Sequence, residues 1–177
     1  YEYFTKDSEF EVTAFSVNSD FKKSDVLDKL ALRQHSRMTE TFGSSSFYRD
    51  DYGKRDRDFI TYYYKDNGYA DVAVAGPFVL LDRDSRYARI TFNIEEGGQY
   101  RVGSIQVSGD VGPDFYEPEK LIEKMKLSQQ ELFRYSFFSK DVELLIDQYG
   151  DLGYAFVDIH PLTKFDKEKK LVNINYR

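Results

Sequence analysis

Apolar positions along the chain change period in one order, and that order occurs twice. Residues 10–17 and 101–107 alternate apolar with polar, the two-residue period of a half-buried strand. A short helix follows each: Ser24 is a good N-cap for residues 25–32, and Pro118 suits the first turn of residues 119–126. A second helix comes after a loop. Val142, Leu145, Ile146 and Tyr149 form one helical stripe, and Ile60 with Tyr64, thickened by Phe59 and Tyr63, forms its counterpart. Gly68 and Gly153 stand where a helix ends in a left-handed residue. Strands are expected at once, over residues 69–74 and 154–159, closed by Pro77 and Pro161. Turns at Asp82-Arg83-Asp84-Ser85 and at residues 164–169 lead to a last strand in each half.

The two halves also share residues. Tyr64-Lys65-Asp66-Asn67-Gly68-Tyr69-Ala70-Asp71-Val72 lies against Tyr149-Gly150-Asp151-Leu152-Gly153-Tyr154-Ala155-Phe156-Val157, with Tyr, Asp, Gly, Tyr, Ala and Val coinciding. At the same offset Asp56-Arg57-Asp58-Phe59-Ile60 faces Asp141-Val142-Glu143-Leu144-Leu145. Repetition of one supersecondary unit explains matched blocks in a fixed order. The expected fold class is α+β: two tandem β-α-α-β-β modules, each a three-stranded mixed sheet covered on one face by two helices. Residues 9–96 form the first module, residues 97–177 the second, and residues 1–8 a tail or the remnant of a preceding unit. Glu95, Glu96, Gly97 and Gly98 join the modules, and so short a link predicts a restricted hinge. The chain does not begin with Met and ends at Arg177 inside an alternating segment, which suggests a piece of a longer polypeptide.

Composition narrows the chemistry. The chain of 177 residues has no cysteine, so a disulfide scaffold, a thiol nucleophile and cysteine zinc sites are excluded. A net charge of −6 opposes a general grip on phosphates, so no nucleic-acid partner is expected. No apolar run reaches the length of a membrane-spanning helix.

Candidate catalytic features are weak. His35 and His160 are the only histidines, and no ligand spacing supports a metal between them. Asp50-Asp51 and Glu95-Glu96 are adjacent carboxylates in polar stretches, which usually face solvent. Gly97-Gly98 opens no helix and lacks the Lys-Ser/Thr ending of a phosphate loop. Ser44-Ser45-Ser46, in a long loop over residues 33–53, has no nucleophile-elbow glycines. Tyr62-Tyr63-Tyr64 invites a base-stacking reading, but core and rim positions of a helix account for it better. No catalytic, cofactor or metal site is assigned, and an enzyme of small α+β type is the least favoured reading.

Two stretches carry a family resemblance. Phe92-Asn93-Ile94-Glu95-Glu96-Gly97 runs into Tyr100-Arg101-Val102-Gly103-Ser104-Ile105-Gln106-Val107-Ser108-Gly109, and the helix-to-Gly-Tyr blocks occur in both halves. This pattern resembles the POTRA domains that form the soluble arm of the outer-membrane protein assembly factor BamA and its relatives. The usual Gly-Asn turn after the first strand appears instead as Asn18-Ser19 and Gly109-Asp110. The resemblance implies a non-enzymatic periplasmic arm of a bacterial outer-membrane protein. Its implied partners are assembly-machine lipoproteins, unfolded outer-membrane protein precursors and a C-terminal β-barrel of the same protein. The alternative it leaves is the arm of a two-partner secretion or translocation-assembly transporter recognising one exported substrate. In the strand order the family implies, the last strand is central and the Gly-Tyr strand lies on an edge. Tyr69, Asp71, Val72 and Val74 in one module, and Tyr154, Phe156 and Asp158 in the other, would then meet an added client strand.

Overall fold

The computed structural model describes residues 10–18, 26–32, 47–48, 50–81, 87–109 and 117–177. The expectations for residues 1–8, Ser19, Ser24, His35, Ser44-Ser45-Ser46, the turn at residues 82–85 and Asp110 fall outside these residues. The fold is α+β, in two compact units: Tyr1–Tyr63 with Val72–Glu96, and Tyr64–Asp71 with Gly97–Arg177.

In the first unit β1 (Phe10–Asn18) runs parallel to β4 (Tyr87–Glu95), and β3 (Ala73–Leu81) runs antiparallel to β4 on its other side. A two-residue strand, β2 (Phe47–Tyr48), pairs antiparallel with the start of β1, so the sheet order is β2-β1-β4-β3. The expectation of three strands therefore gains a fourth. A pair of residues shows no period, and β2 lay hidden in what read as a loop. That loop also ends sooner than Gly53, because helix α1 (Asp50–Asp66) begins with Asp50 and Asp51 in its first turn, where carboxylates favour a helix start. Ala88, Ile90 and Phe92 on central β4 are buried, alternating with exposed Arg89 and Asn93.

In the second unit the order is β5-β7-β6, with β5 (Arg101–Val107), β6 (Pro161–Asp166) and β7 (Leu171–Tyr176). β7 is central: it runs parallel to β5 and antiparallel to β6. Helices α2 (Pro118–Lys124) and α3 (Tyr135–Asp151) carry the other half of the core. Pro118 occupies the first turn of α2, as its fixed φ favours. Val102, Leu121, Leu145, Val172 and Ile174 meet in one apolar cluster.

The strands after the two glycines begin later than the sequence suggested. β3 starts at Ala73 and β6 at Pro161. Of the named edge residues only Val74 lies in a strand. Tyr69, Asp71 and Val72 occupy the turn after α1, and Tyr154, Phe156 and Asp158 an irregular segment before β6. The physical reason is the helix end. The Tyr69 N–H returns to the Tyr64 carbonyl (3.1 Å) and Tyr154 N–H to Tyr149 (3.3 Å), so the chain is still closing a helix where alternation reads as strand. Pro77 does not close its strand: it sits inside β3, where the register slips between Ala75 and Phe78. Pro161 opens β6 rather than ending a strand, an edge position that needs no donor.

Candidate functional site

Sheet edges are where this fold offers unsatisfied backbone to a partner. β6 is outermost in its sheet, and its inward ladder is fixed by a phase. The His160 N–H donates to the Arg177 carbonyl at 2.7 Å, and the register pairs Leu162 with Asn175 and Lys164 with Asn173. Antiparallel ladders alternate, so Leu162, Lys164 and Asp166 share that inward phase. Thr163 and Phe165 then turn their N–H and C=O groups to the open side, with Pro161 as the one member that has no N–H to offer. β3 is outermost in the other sheet, with Phe78 and Leu80 exposed (48% and 66%). The opposite edge of the second sheet is partly closed by its own chain. Val102 N–H reaches the Glu131 carbonyl and Gln130 N–H the Val102 carbonyl, both at 2.8 Å, while Phe133 N–H reaches Tyr100 at 3.0 Å. That leaves β6 as the more regular open edge of the unit.

The turn at Tyr64–Asp71, within the second unit, is a packed joint. Tyr100 is fully buried; its N–H donates to the Gly68 carbonyl (2.8 Å) and its hydroxyl to Asp71 Oδ2 (2.9 Å). The Gly98 N–H donates to Asp71 Oδ1 at 3.3 Å. Asp71 thus bonds within the unit, from the turn after α1 rather than from a strand. Of the expected hinge residues, Glu95 pairs with Ala73 at the end of β4, and Glu96 closes the first unit. Gly97 takes a left-handed φ of 71° with Asp71 against it, a placement only glycine accepts without strain. Burial and the bond to Asp71 raise the Tyr100 phenol above its ordinary range.

Beyond Gly153 the corresponding segment lies open. Phe156 is 96% exposed, while Val157 and Ile159 turn inward against the core. Asp158 pairs with His160 (Oδ2 to Nε2, 2.9 Å) at the surface. A cavity of about 270 Å3 lies between this segment, Tyr149, Val107 and Arg177. The three adjacent tyrosines of α1 point apart: Tyr62 is exposed, Tyr63 half-buried under Lys29, and Tyr64 buried. They form no stacking platform. Among the described residues no cluster of His, Cys, Asp or Glu could hold a metal ion.

A family model matches this unit: the one described as POTRA, surface antigen variable number repeat, fits residues 100–177. Residues 100–177 are similar to POTRA domains. The wider chain is similar to the outer membrane protein assembly factor BamA of Nitratidesulfovibrio vulgaris, 29% identical over 161 residues, covering 89% of this chain and 20% of that one. It is also similar to BamA of Neisseria meningitidis, 21% identical over 160 residues, covering 90% of this chain and 20% of that one. The chain therefore spans about a fifth of the length of these relatives. The crystal structure of Haemophilus influenzae BamA POTRA3-5 superposes with a TM-score of 0.73 at 22% identity, covering 96% of this chain and 65% of that one. The structure of BamA from Haemophilus ducreyi lacking POTRA domains 1-3 gives 0.65 at 15% identity, over 96% and 29% of the two chains.

Sequence reasoning missed one buried element common to both units. Asp141 of α3 is 1% exposed and accepts N–H bonds from Lys126 (2.6 Å) and Leu127 (3.1 Å), just after α2. Asp56 of α1 is equally buried and accepts from Ala31 (2.6 Å) and Leu32 (2.8 Å). The buried stripe of α3 is accordingly Asp141, Leu145 and Tyr149, not the expected row through Ile146, which is 40% exposed. The signal was present: both aspartates sit in matched blocks, four residues before an apolar position on the stripe.

Burial raises the Asp141 carboxyl above its ordinary range, against the pull of its amide bonds. Burial and the adjacent Asp141 charge push the Tyr176 phenol well above the tyrosine range, and burial raises Tyr149. For these phenols and Tyr100 the unfolded chain ionises first. Their contribution is complete below about pH 10 and is lost as pH rises past it. The urea midpoint should therefore fall between about pH 10 and 11, and Tyr176→Phe should flatten that fall. An unchanged slope in the variant would remove Tyr176 from the cause.

Proposed function

We propose that this chain is a non-enzymatic periplasmic scaffold of a BamA-type machine for outer-membrane protein assembly. It receives extended segments of unfolded barrel precursors by strand addition, and it docks accessory lipoproteins of the machine. The observation that carries the reading is β6: outermost, regular, and phased so that Thr163 and Phe165 offer main-chain groups outward. The POTRA match over the same residues and the likeness to BamA proteins support it. Recognition through backbone tolerates many client sequences. Four or five such bonds at a net ~1 kcal/mol each give roughly 4–5 kcal/mol before ordering costs. That is binding at about millimolar strength or weaker, which lets a client leave. β3 is a second edge of the same kind, with Val74 among its residues.

The test is a titration of the chain with a peptide copied from one strand of an outer-membrane barrel, followed residue by residue in amide NMR spectra. Shifts should map to β6. Thr163→Pro, which removes an outward N–H, should abolish those on β6 while leaving the unfolding free energy within about 1 kcal/mol of the parent. Shifts on β6 that survive Thr163→Pro, or shifts that map away from both β6 and β3, would refute strand addition. The articulation expected at Glu95, Glu96, Gly97 and Gly98 belongs to the same reading. A scattering profile unmoved by extra glycines at Gly98 would remove it.

A further inference from the structure

The side chains of β6 divide between two faces, and each face leaves something uncovered. Directly opposed residues of an antiparallel pair share a face. Pro161, Thr163 and Phe165 stand opposite Tyr176, Ile174 and Val172, which are buried in the core cluster, so they lie on its side of the sheet. Leu162, Lys164 and Asp166 stand opposite Asn175, Asn173 and Leu171, on the other side.

On the core side, the Phe165 ring meets the Tyr100 ring edge-on, centroids 5.3 Å apart, and stays 37% exposed. On the other side Leu162 is 55% exposed, and the residue across the ladder gives it no apolar cover. That residue, Asn175, is turned to β5, where its Oδ1 accepts the Ser108 hydroxyl at 2.9 Å. Asn173, opposite Lys164, is turned the same way: its Oδ1 accepts the Ser104 N–H at 2.8 Å and the Ser104 hydroxyl at 3.0 Å. Asp166 accepts the Lys169 N–H of its own turn at 2.9 Å. Exposed Lys164 is therefore the charge that β6 holds out to a neighbour.

We infer that β6 selects an antiparallel strand that reads, from its N-terminus, aromatic, acidic, β-branched, aliphatic. These four residues stand opposite Phe165, Lys164, Thr163 and Leu162. The inference rests on strand addition at β6 and gives it a client chemistry and a direction. In an antiparallel ladder Thr163 and Phe165 exchange both backbone bonds with the residues that face them. Leu162 and Lys164 then occupy the sites between, where facing side chains come closest. The uncovered aliphatic group and the outstanding charge thus fall where contact is tightest, whereas the evenly slanted bonds of a parallel strand provide no such close pairs. An aromatic opposite Phe165 extends the Tyr100–Phe165 contact. An acid opposite Lys164 makes a cross-strand ion pair, and a base there is repelled. The main chain supplies the hold and these side chains the choice.

The probes are three peptides of about ten residues, long enough for one strand. The first carries Phe-Glu-Val-Leu at its centre. The second has Lys for that Glu, and the third has Ser for both Phe and Leu. Amide spectra of the chain, titrated with each, should show the first binding β6 about tenfold more tightly than either of the others. Lys164→Glu, at an exposed position, should reverse the order of the first two peptides, and added salt should shrink their difference. A spin label on the N-terminus of the first peptide should broaden Asp166, and one on its C-terminus should broaden Leu162. Equal binding of the three peptides at β6 overturns the inference and leaves strand addition standing. An N-terminal label that broadens Leu162 instead overturns it in the same way. Absence of shifts on β6 with every peptide overturns the inference together with the strand addition it rests on.

Discussion

Asp141→Ala should destabilise the second unit by about 3 kcal/mol, roughly a hundredfold in its folding equilibrium. The carboxylate is the acceptor for the Lys126 and Leu127 amides, and the Leu127 amide is buried. Alanine leaves those donors without an acceptor, at about 1–3 kcal/mol for each buried group, and opens a small void beside Leu145 and Tyr176. Losing a buried carboxylate returns part of this. Asp141→Asn, which keeps one oxygen, should cost about half as much. The parent's carboxyl is raised in the folded state, so its contribution is greatest where it is protonated and fades as pH climbs through its folded value. The deficit of the alanine variant should therefore widen on acidification towards the ordinary carboxylate range. Urea unfolding at several pH values reads this directly, and a deficit under about 1 kcal/mol would show that water serves the amides as well.

Gly68→Ala should cost about 3 kcal/mol, and Gly153→Ala only about 1 kcal/mol. The φ values are nearly equal, so the backbone strain of a side chain in the left-handed region is common to both. The difference is steric. At Gly68 the new methyl would overlap Leu132 and Gln99, while at Gly153 it meets open space. Equal costs, measured by denaturant titration of the two variants, would mean that Leu132 and Gln99 move aside freely.

What the sequence shows of this fold depends on how far each signal reaches. The paired Gly-Tyr turns, the long helices and the central strands were legible because each repeats or sustains a period. β4 and β7 bury every second residue, and alternation reads that directly. The start of β3 and β6 was misjudged because residues 69–72 and 154–159 alternate without pairing. Their inward members, Val72, Val157 and Ile159, pack on the core from turns and extended coil. Hydropathy does not distinguish that from a strand. Asp71 read as an edge-strand residue, since nothing local says that Gly98 and Tyr100 return to it across the fold. Asp56 and Asp141 were passed over because a charged residue on an apolar stripe looks like the stripe's end. Which residues form the candidate edge, and its outward phase, needed coordinates.

The twin aspartates also supply clocks. Leu32 and Leu127 each hold one buried amide on a carboxylate of their own unit. In deuterated solvent each proton can leave only when its loop lifts from its helix, so the pair times the opening of the two halves separately in one sample. A ligand that steadies one half alone would slow one of these exchanges and leave the other running at its old rate.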